Sequence, residues 1–290
     1  MSRVLCAGHV NWDVTLRVDR LPEPDGEARI TEQCQSGGGS ASNVSIVLSG
    51  LDVSTALLGS IGTDEDGLLA RRELETAGVE TALVETSGQT AVKYLVVDEG
   101  GEVMVLGNDG ANEAFGPGDI DEETLAAVEQ LHLTSQDPAM AGALAERATA
   151  VDCTVSFDPG RRLDERDYGS VLEHTDVLFV NDREAEMAAE AGLLGGVGRV
   201  VVKHGAGGAE VRTANGTAEH AGFAVDPVDT TGAGDAFAAG FIAASFTGSN
   251  EYALAVGNAC GALATRTTGA RLHTEWRDIE ALLDIGPDDG

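Results

Sequence analysis

The chain has 290 residues, and 42% of them are hydrophobic, which is enough for a substantial core in one large α/β domain or two smaller ones. Its formal net charge of −31 argues against nucleic acid as a partner. No apolar run approaches the roughly 18 to 20 residues of a membrane span, and the first residues lack signal-peptide architecture, so we expect a cytoplasmic protein with no membrane partner.

Acidic residues dominate the charged surface expected of this chain. The 49 Asp and Glu outnumber the 18 Lys and Arg, they are spread along the whole length, and only two lysines occur, Lys93 and Lys203. Such a surface repels itself in dilute buffer, and salt relieves the repulsion by shortening the Debye length to about 3 Å at 1 M. An acidic surface for a basic partner is usually a compact block, which is not found here. The composition resembles that of proteins from salt-accumulating halophiles.

Apolar strands and amphipathic helices alternate along the chain. The predicted strands are 3–7, 55–58, 131–134, 154–158, 177–180 and 199–203. The predicted helices are 41–51, 68–77, 139–150, 183–192, 233–246, 250–266 and a weaker one at 275–283. This alternation predicts an α/β fold in which a parallel sheet is covered by helices on both faces.

Two segments break the alternation. Residues 14–18 with 28–35, and residues 91–107, are rich in Val, Tyr and Thr and lack a helical period. We expect each of them to form an antiparallel hairpin added to the α/β core, the second one with a turn at 99–102.

The loop at 229–235 reads Asp-Thr-Thr-Gly-Ala-Gly-Asp and runs directly into an apolar helix. The free N–H groups of the first helical turn and the positive end of the helix dipole then form an anion hole, which we assign to Gly232, Ala233 and Gly234. Asp235 lies beside it, placed to take a proton from a hydroxyl while the amides stabilise a moving phosphoryl group. The alternative is a simple helix N-cap, but a cap needs only one such residue.

A second polar cluster lies in the N-terminal half. Asn11 and Asp13 follow the first strand, and Gly38, Gly39 and Asn43 precede a helix, so both groups belong at the carboxyl edge of the sheet, where ligands bind. Carboxylate and amide groups suit vicinal hydroxyls, because one accepts hydrogen bonds and the other both donates and accepts. A loop and helix cap would explain the glycines and Asn43 equally well when they are taken alone.

Together these clusters resemble the ribokinase/PfkB carbohydrate kinase family. Its Asp-Thr-x-Gly-Ala-Gly-Asp pattern is complete at 229–235, its Asn-x-Asp falls at 11–13, and its Gly-Gly-x-x-x-Asn falls at 38–43. The resemblance implies one ribokinase-like domain over 1–290, with a parallel-sheet core, helices on both faces and a small β-lid near 14–36 and 90–107. It further implies that Asp235 is the catalytic base, that the N-terminal cluster binds sugar hydroxyls, and that two chains pair through the lid.

Further matches extend the resemblance along the chain. Residues 59–64, followed by Gly67, resemble a pocket-wall turn, and the pair Asn181 and Glu184 resembles a motif that organises Mg²⁺, water and phosphate. Glu184 could equally be an ordinary first-turn helix acid. The remaining positions that the resemblance assigns to nucleotide binding are Lys203, Gly205, Gly207, Gly208 and Asn258. Those that it assigns to a monovalent cation, K⁺, are Asp229 and Thr231. P-loop and dinucleotide-binding patterns are both absent from the sequence.

The sequence therefore predicts a kinase that uses ATP and Mg²⁺ to phosphorylate a hydroxyl of a sugar or sugar phosphate. Cations are scarce, so those near the expected sugar pocket are informative, and we assign them to the substrate: Arg29, Lys93, Arg161 and Arg162. They favour an acceptor that already carries phosphate, such as ribose 1-phosphate. Surface ion pairs would explain each of them singly. The alternatives are a ribokinase or nucleoside kinase, and a catalytically silent sugar or nucleotide sensor.

Overall fold

The structure, a computed structural model, describes residues 4–100 and 102–285. Arg3 of the predicted first strand and Gly101 of the predicted turn lie outside them. The strands are β1 (Val4–Ala7), β2 (Asn11–Val18), β3 (Ile30–Gly38), β4 (Thr55–Gly62), β5 (Glu80–Thr86), β6 (Ala91–Val97), β7 (Val103–Gly107), β8 (Gln130–Leu133), β9 (Thr154–Phe157), β10 (Val177–Asn181), β11 (Arg199–Lys203), β12 (Ala209–Thr213) and β13 (Gly216–His220). The helices are α1 (Ser40–Gly50), α2 (Glu65–Thr76), α3 (Glu122–Ala127), α4 (Pro138–Thr149), α5 (Gly169–Leu172), α6 (Asp182–Glu190), α7 (Ala233–Ser245), α8 (Asn250–Thr265) and α9 (Trp276–Ile285).

The core is a mostly parallel sheet in the order β13-β12-β11-β10-β9-β8-β1-β4-β5. Pairing is parallel from β5 to β11, and β12 and β13 extend the sheet as an antiparallel hairpin. Side chains of β1 alternate between two buried layers: Val4 and Cys6 pack with α1, α7 and α8, whereas Leu5 and Ala7 pack with α4 and α5. The predicted two-sided parallel sheet is therefore confirmed.

The N-terminal hairpins form a separate four-stranded sheet in the order β3-β2-β6-β7. Both predicted hairpins are antiparallel, β2 with β3 and β6 with β7, and the parallel pair β2 and β6 joins them into one sheet. The sequence placed Asn11 and Asp13 at the end of the first strand, and this position is wrong. The first strand ends at Ala7, and Asn11 and Asp13 lie at the start of β2 in the lid sheet. Asp13 lies in register with Ser36 of β3 and Lys93 of β6.

The turn expected at 59–64 is shorter than the sequence suggested. Gly59 to Gly62 continue β4 through the buried sheet, and only Thr63 and Asp64 form the bend into α2. A Cβ on Gly62 would lie 2.5 Å from the Gly88 carbonyl oxygen. Asp64 caps α2 by accepting from the Gly67 amide, and it also accepts from the Thr90 amide and hydroxyl just before β6. The carboxylate thus fastens the start of a core helix to the start of a lid strand.

Several short elements were not predicted. They are β5, β12 and β13 at the two ends of the core sheet, together with the short helices α3 and α5. Strands at a sheet end are half exposed, so their sequences lack the continuous apolar run of a central strand. No helix in the described ranges is both long enough and apolar enough to cross a membrane.

Residues 236–244 of helix α7 are all apolar and all buried, and the helix packs against α8. A Cβ on Gly240 would lie 2.5 Å from the Cys260 sulfur and 2.9 Å from the Val256 carbonyl oxygen, so glycine is what allows the two helices to pack at this distance. Phe237 and Phe241 of α7 fill the space beside this contact, and both are buried. The packing fixes the N-terminus of α7 between the core and the lid.

Candidate active site

The loop before α7 enters the helix at a glycine. Gly232 has a φ of +76°, and a Cβ there would lie 2.3 Å from the Ala270 carbonyl oxygen, so both conformation and space require glycine. The Ala233 amide donates to the Thr230 carbonyl at 3.3 Å. The amides of Gly234 and Asp235 follow in the first turn, where a helix provides no acceptor of its own. They are the donors best placed for an anion.

Asp235 lies in contact with residues from the other end of the chain. Asn43 of α1 donates from Nδ2 to Asp235 Oδ2 at 2.7 Å, across 192 residues of sequence. Desolvation raises the pKa of Asp235, and the nearby Asp158 raises it further, while Asn43 and Lys203 act in the opposite direction. A carboxylate whose pKa is raised is a stronger base, as a group that must remove a proton from a hydroxyl requires.

Asp13 and Asn43 present unused acceptors beside Asp235. Asp13 Oδ1 and Asn43 Oδ1 are buried and have no hydrogen-bond partner in the described ranges. Gly38 allows β3 to pass over the carboxylate of Asp13, since a Cβ there would lie 2.3 Å from Asp13 Oδ2. Asn11 is oriented differently, because its Oδ1 already accepts from Asn112 at 2.8 Å. Buried acceptors without donors suit the hydroxyls of a bound sugar.

Arg271 is a functional candidate that sequence reasoning missed. Its side chain is buried, Nη2 donates to Ser42 Oγ at 2.8 Å, and Nη2 lies 3.7 Å from Glu73 Oε2, which also accepts from the Gly37 amide at 2.7 Å. Its charge lowers the pKa of Asp13, which desolvation raises overall. Because the chain has only 18 Lys and Arg, the sequence could have marked Arg271 as a candidate. Its position in the irregular loop between α8 and α9, however, does not indicate that its side chain faces the sugar residues.

A cavity of about 760 Å³ opens on the other side of the α7 N-terminus. Its walls are mostly apolar and include Phe223, Val225 and Phe237, and its size falls within the roughly 300 to 1,000 Å³ typical of ligand pockets. The sequence-predicted nucleotide residues that line it are Asn181, Lys203, Gly205, Gly208 and Asn258. Asn258 donates to the His220 carbonyl at 3.2 Å. Gly207 is not among the lining residues.

Lys203 joins the two halves of the site. Its Nζ donates to Asp158 Oδ2 at 2.6 Å, and a Cβ on Gly234 would lie 3.4 Å from Nζ, so the ammonium lies beside the anion hole. Burial lowers the pKa of Lys203, but Asp158 more than compensates, and the net pKa is raised. The ammonium therefore stays charged where the phosphates of a nucleotide would meet the helix N-terminus.

Asn181 and Glu184 form a reciprocal cap at the start of α6, with both hydrogen bonds at 2.9 Å. Burial raises the pKa of Glu184, and Asp158 adds to the rise. The structure therefore contains the helix cap that was the alternative role for Glu184, and it also places Glu184 near Asp158.

Asp229 has both carboxylate oxygens engaged by backbone amides. Its Oδ1 accepts from the Thr231 amide and its Oδ2 from the Gly269 amide, each at 2.9 Å.

The four predicted substrate cations do not converge on one point. Lys93 lies beside Asp13 in the lid sheet, and Arg162 faces Glu113, whereas Arg161 lines the nucleotide-sized cavity. Arg29 is exposed, and its backbone amide donates to the Asp19 carboxylate. Asp19 is six residues after Asp13, which in an extended strand is a distance of about 20 Å. The structure therefore does not bring Arg29 to the sugar residues of its own chain.

A base beside a helix N-terminus, with hydroxyl acceptors on one side and a nucleotide-sized cavity on the other, defines a phosphotransferase that acts on an alcohol. The sequence matches pfkB family carbohydrate kinases over residues 1–277. The chain belongs to this family and is thereby a kinase that acts on a sugar-type acceptor with ATP.

Individual relatives agree with this assignment. The chain is 59% identical over 279 residues to the ATP-dependent ribose-1-phosphate kinase of Halopiger xanaduensis, covering 93% of this chain and 94% of that protein. It is 28% identical over 260 residues to a nucleoside kinase of Methanothermobacter thermautotrophicus, covering 85% and 84%. Among solved structures, ribokinase from Thermotoga maritima matches with a TM-score of 0.87 at 26% identity, covering 98% of this chain and 100% of that one.

We expect Asp235→Asn to fold normally and to lose turnover by about 10²- to 10⁴-fold, because the amide cannot accept the proton of the hydroxyl. The acid limb of kcat/KM in the unsubstituted enzyme should lie above the usual range of an aspartate, because the pKa of Asp235 is raised. Circular dichroism and steady-state kinetics across pH test both points. Asp284→Asn, an exposed residue of α9, is the matched control. Turnover close to that of the control would remove Asp235 from the role of base.

Proposed function

We propose that the chain is an ATP-dependent kinase that phosphorylates a free hydroxyl of ribose 1-phosphate or a closely related pentose phosphate. The observation that carries this substrate is the 59% identity to the Halopiger xanaduensis enzyme over nearly the whole of both chains. Lys93 supports it, because it lies in register with Asp13 and adds positive charge beside the residues proposed to hold the sugar. Arg162 adds a guanidinium group whose contacts to Glu113 and Asp109 are long, at 3.6 and 3.5 Å. Residues 1–290 form one kinase domain in this assignment, and the family match spans 1–277.

The side chains of the site divide the reaction between them. Asp13 and Asn43 hold sugar hydroxyls through their buried acceptors, and Asn43 also orients Asp235. Asp235 accepts the proton of the attacking hydroxyl. The Gly234 and Asp235 amides and the Lys203 ammonium stabilise negative charge on the transferring phosphoryl group. Arg161, which lines the nucleotide cavity, belongs to the nucleotide side in this assignment.

Mg²⁺ fits the carboxylates of this site. No group of three or more His, Cys, Asp and Glu side chains within 4–100 and 102–285 could hold a metal ion alone. Kinases, however, bind Mg²⁺ through one or two carboxylates together with water and substrate phosphates. Glu184 is buried at the start of α6, where its Oε2 accepts from the Asn181 amide, and Asp158 accepts from the Lys203 ammonium that lies beside Gly234. With water and phosphate, these two carboxylates would hold the ion, which neutralises phosphate charge when bound.

A K⁺ site at Asp229 and Thr231 stays a prediction. Both oxygens of Asp229 accept from backbone amides, and these bonds tie the loop before α7 to the loop after α8. A monovalent cation would share that carboxylate with the two amides.

Pairing of two chains through the lid is the second part of the proposal. The outer strand β7 is exposed along its whole length, with Val105 at 57% and Leu106 at 55%, and Ile30 and Tyr94 of the same sheet are also exposed. A sheet edge with exposed apolar side chains is unfavourable in a monomer. A second copy of this chain is the occupant that we propose.

The surface charge fits a protein that works in concentrated salt. The net charge of −31 is spread over the surface, and the Halopiger xanaduensis relative is similar over nearly the full length. Screening by concentrated salt removes the repulsion among these carboxylates.

The wild-type enzyme should use ribose 1-phosphate with a higher kcat/KM than free ribose, adenosine or fructose. Charge-assisted hydrogen bonds to the phosphate provide the difference, at about 1.5 to 3 kcal/mol each. Steady-state kinetics at high KCl with this panel is the measurement, and ATP consumption without sugar is the control. Equal kcat/KM for ribose and ribose 1-phosphate would contradict the proposed substrate and indicate a ribokinase. A higher kcat/KM for adenosine would indicate a nucleoside kinase.

The thermal midpoint should rise steeply as KCl increases from dilute buffer to molar concentrations, because the carboxylates repel one another less. Differential scanning calorimetry measures it. Choline chloride serves as a second salt to separate general screening from a specific effect of K⁺. A midpoint that stays flat across the series would contradict the halophilic surface.

The double variant Val103→Glu/Val105→Glu should convert dimers into monomers without loss of fold, because it puts charges on one face of β7. Light scattering after size exclusion measures the mass. Thr217→Glu, on the exposed edge strand β13, is the matched control and should leave the mass unchanged. A wild-type chain that is monomeric at micromolar concentration would refute the lid interface.

A further inference from the structure

Two arginines from one short segment converge on a single carboxylate. The segment 160–166 follows β9, and Arg166 Nη1 lies 2.8 Å from Glu113 Oε1, while Arg162 Nη1 lies 3.6 Å from the same oxygen. His9 Nε2 contacts that oxygen as well, at 2.9 Å. The chain thus gathers two of its 18 Lys and Arg, with a histidine, around one partly buried acid.

This cluster adjoins the sugar residues. Glu113 follows Asn112, whose Nδ2 donates to Asn11 Oδ1 at 2.8 Å. On another side, the His9 carbonyl oxygen lies 2.3 Å from where a Cβ on Gly39 would be. The guanidinium groups are therefore next to the segment that holds the sugar, on the side of the site formed by the loops after β1 and β9.

Glu113 is the counterion that positions the two arginines. Burial would raise its pKa, but hydrogen bonds from His9 and Arg166 hold the pKa at about 2, so the group is a fully ionised partner near neutral pH. Arg166 donates to both oxygens, at 2.8 and 3.4 Å. Such a two-pronged pairing fixes the plane of the guanidinium group and leaves its remaining N–H groups directed elsewhere.

Arg162 makes longer ion-pair contacts than Arg166 does. Its contacts to Glu113 and Asp109 are 3.6 and 3.5 Å, and within the described residues its guanidinium group makes no shorter ion pair. Asp109 is 90% exposed, so this carboxylate can turn into solvent when another anion arrives. Arg162 therefore has donors available for a ligand at the sugar end of the site.

We propose that Arg162 and Arg166, braced by Glu113 and His9, bind the phosphate that the acceptor sugar already carries. The inference rests on the proposed function and deepens it by naming the residues that select a phosphorylated acceptor. Arg166 was not among the substrate residues assigned from the sequence. Two planar guanidinium forks match the tetrahedral oxygens of a phosphate monoester, whereas a nucleobase or a free hydroxyl offers them no negative charge beyond that of Glu113 and Asp109.

The test compares Arg162→Gln and Arg166→Gln with Arg277→Gln, an exposed arginine of α9. Each of the first two variants should lower kcat/KM for ribose 1-phosphate by about 10- to 100-fold, while kcat/KM for ribose and KM for ATP stay within about 2-fold. Inorganic phosphate should inhibit the wild type competitively against ribose 1-phosphate and inhibit both variants less. Arg162→Lys should recover part of the loss, because it keeps the charge without the fork.

The double variant Arg166→Gln/Glu113→Gln is the control for a folding defect, because it does not leave the partly buried Glu113 carboxylate without Arg166. It should lose the preference for ribose 1-phosphate to the same extent as Arg166→Gln. A wild-type preference for ribose 1-phosphate that persists in both arginine variants overturns the phosphate site but leaves the proposed function standing. A wild type that does not prefer the phosphorylated sugar overturns both.

Discussion

Burying several carboxylates at one reaction centre is the constraint on which the rest of the site depends. Asp13, Asp158, Glu184 and Asp235 all lie around the N-terminus of α7, and desolvation raises the pKa of Asp13, Glu184 and Asp235. In a chain with a net charge of −31, little positive charge is available to offset them. Two cations supply it, the partly buried Lys203 on the nucleotide side and the buried Arg271 on the sugar side. Lys203 lowers the pKa of Glu184 and of Asp235, and Arg271 lowers that of Asp13, so both oppose the rise that desolvation causes.

Arg271 also connects the site to the lid sheet. Arg271 bonds Ser42 at the start of α1, and through Glu73 it reaches the Gly37 amide at the end of lid strand β3. Asp64 makes a second connection, from α2 to the start of β6. Asp13 lies on β2, and both neighbours of that strand are fastened to α2 at the end of the sheet where Asp13 lies: β3 through Glu73 and β6 through Asp64.

Local patterns in the sequence gave the elements and much of the chemistry. Apolar runs predicted the central strands, and the polar loop at 229–235 predicted the anion hole and its base, because strand periodicity and helix-terminus chemistry are short-range properties. The hairpins of the lid were also local. Their union through the parallel pair of β2 and β6 was not, since parallel pairing joins segments that are far apart in the chain.

The sequence by itself determined the family, the α/β core, and the residue types that the reaction needs. The tertiary structure decided which of those residues meet: it joined Asn43 to Asp235, set Lys203 beside Gly234, turned Arg161 to the nucleotide cavity and Arg162 to Glu113, and left Arg29 at a distance. It also brought in Arg271 and Arg166, which no motif distinguishes. The reason is physical: a charge acquires its function from the dielectric and the partners around it, and both are set by contacts between residues that are remote in sequence.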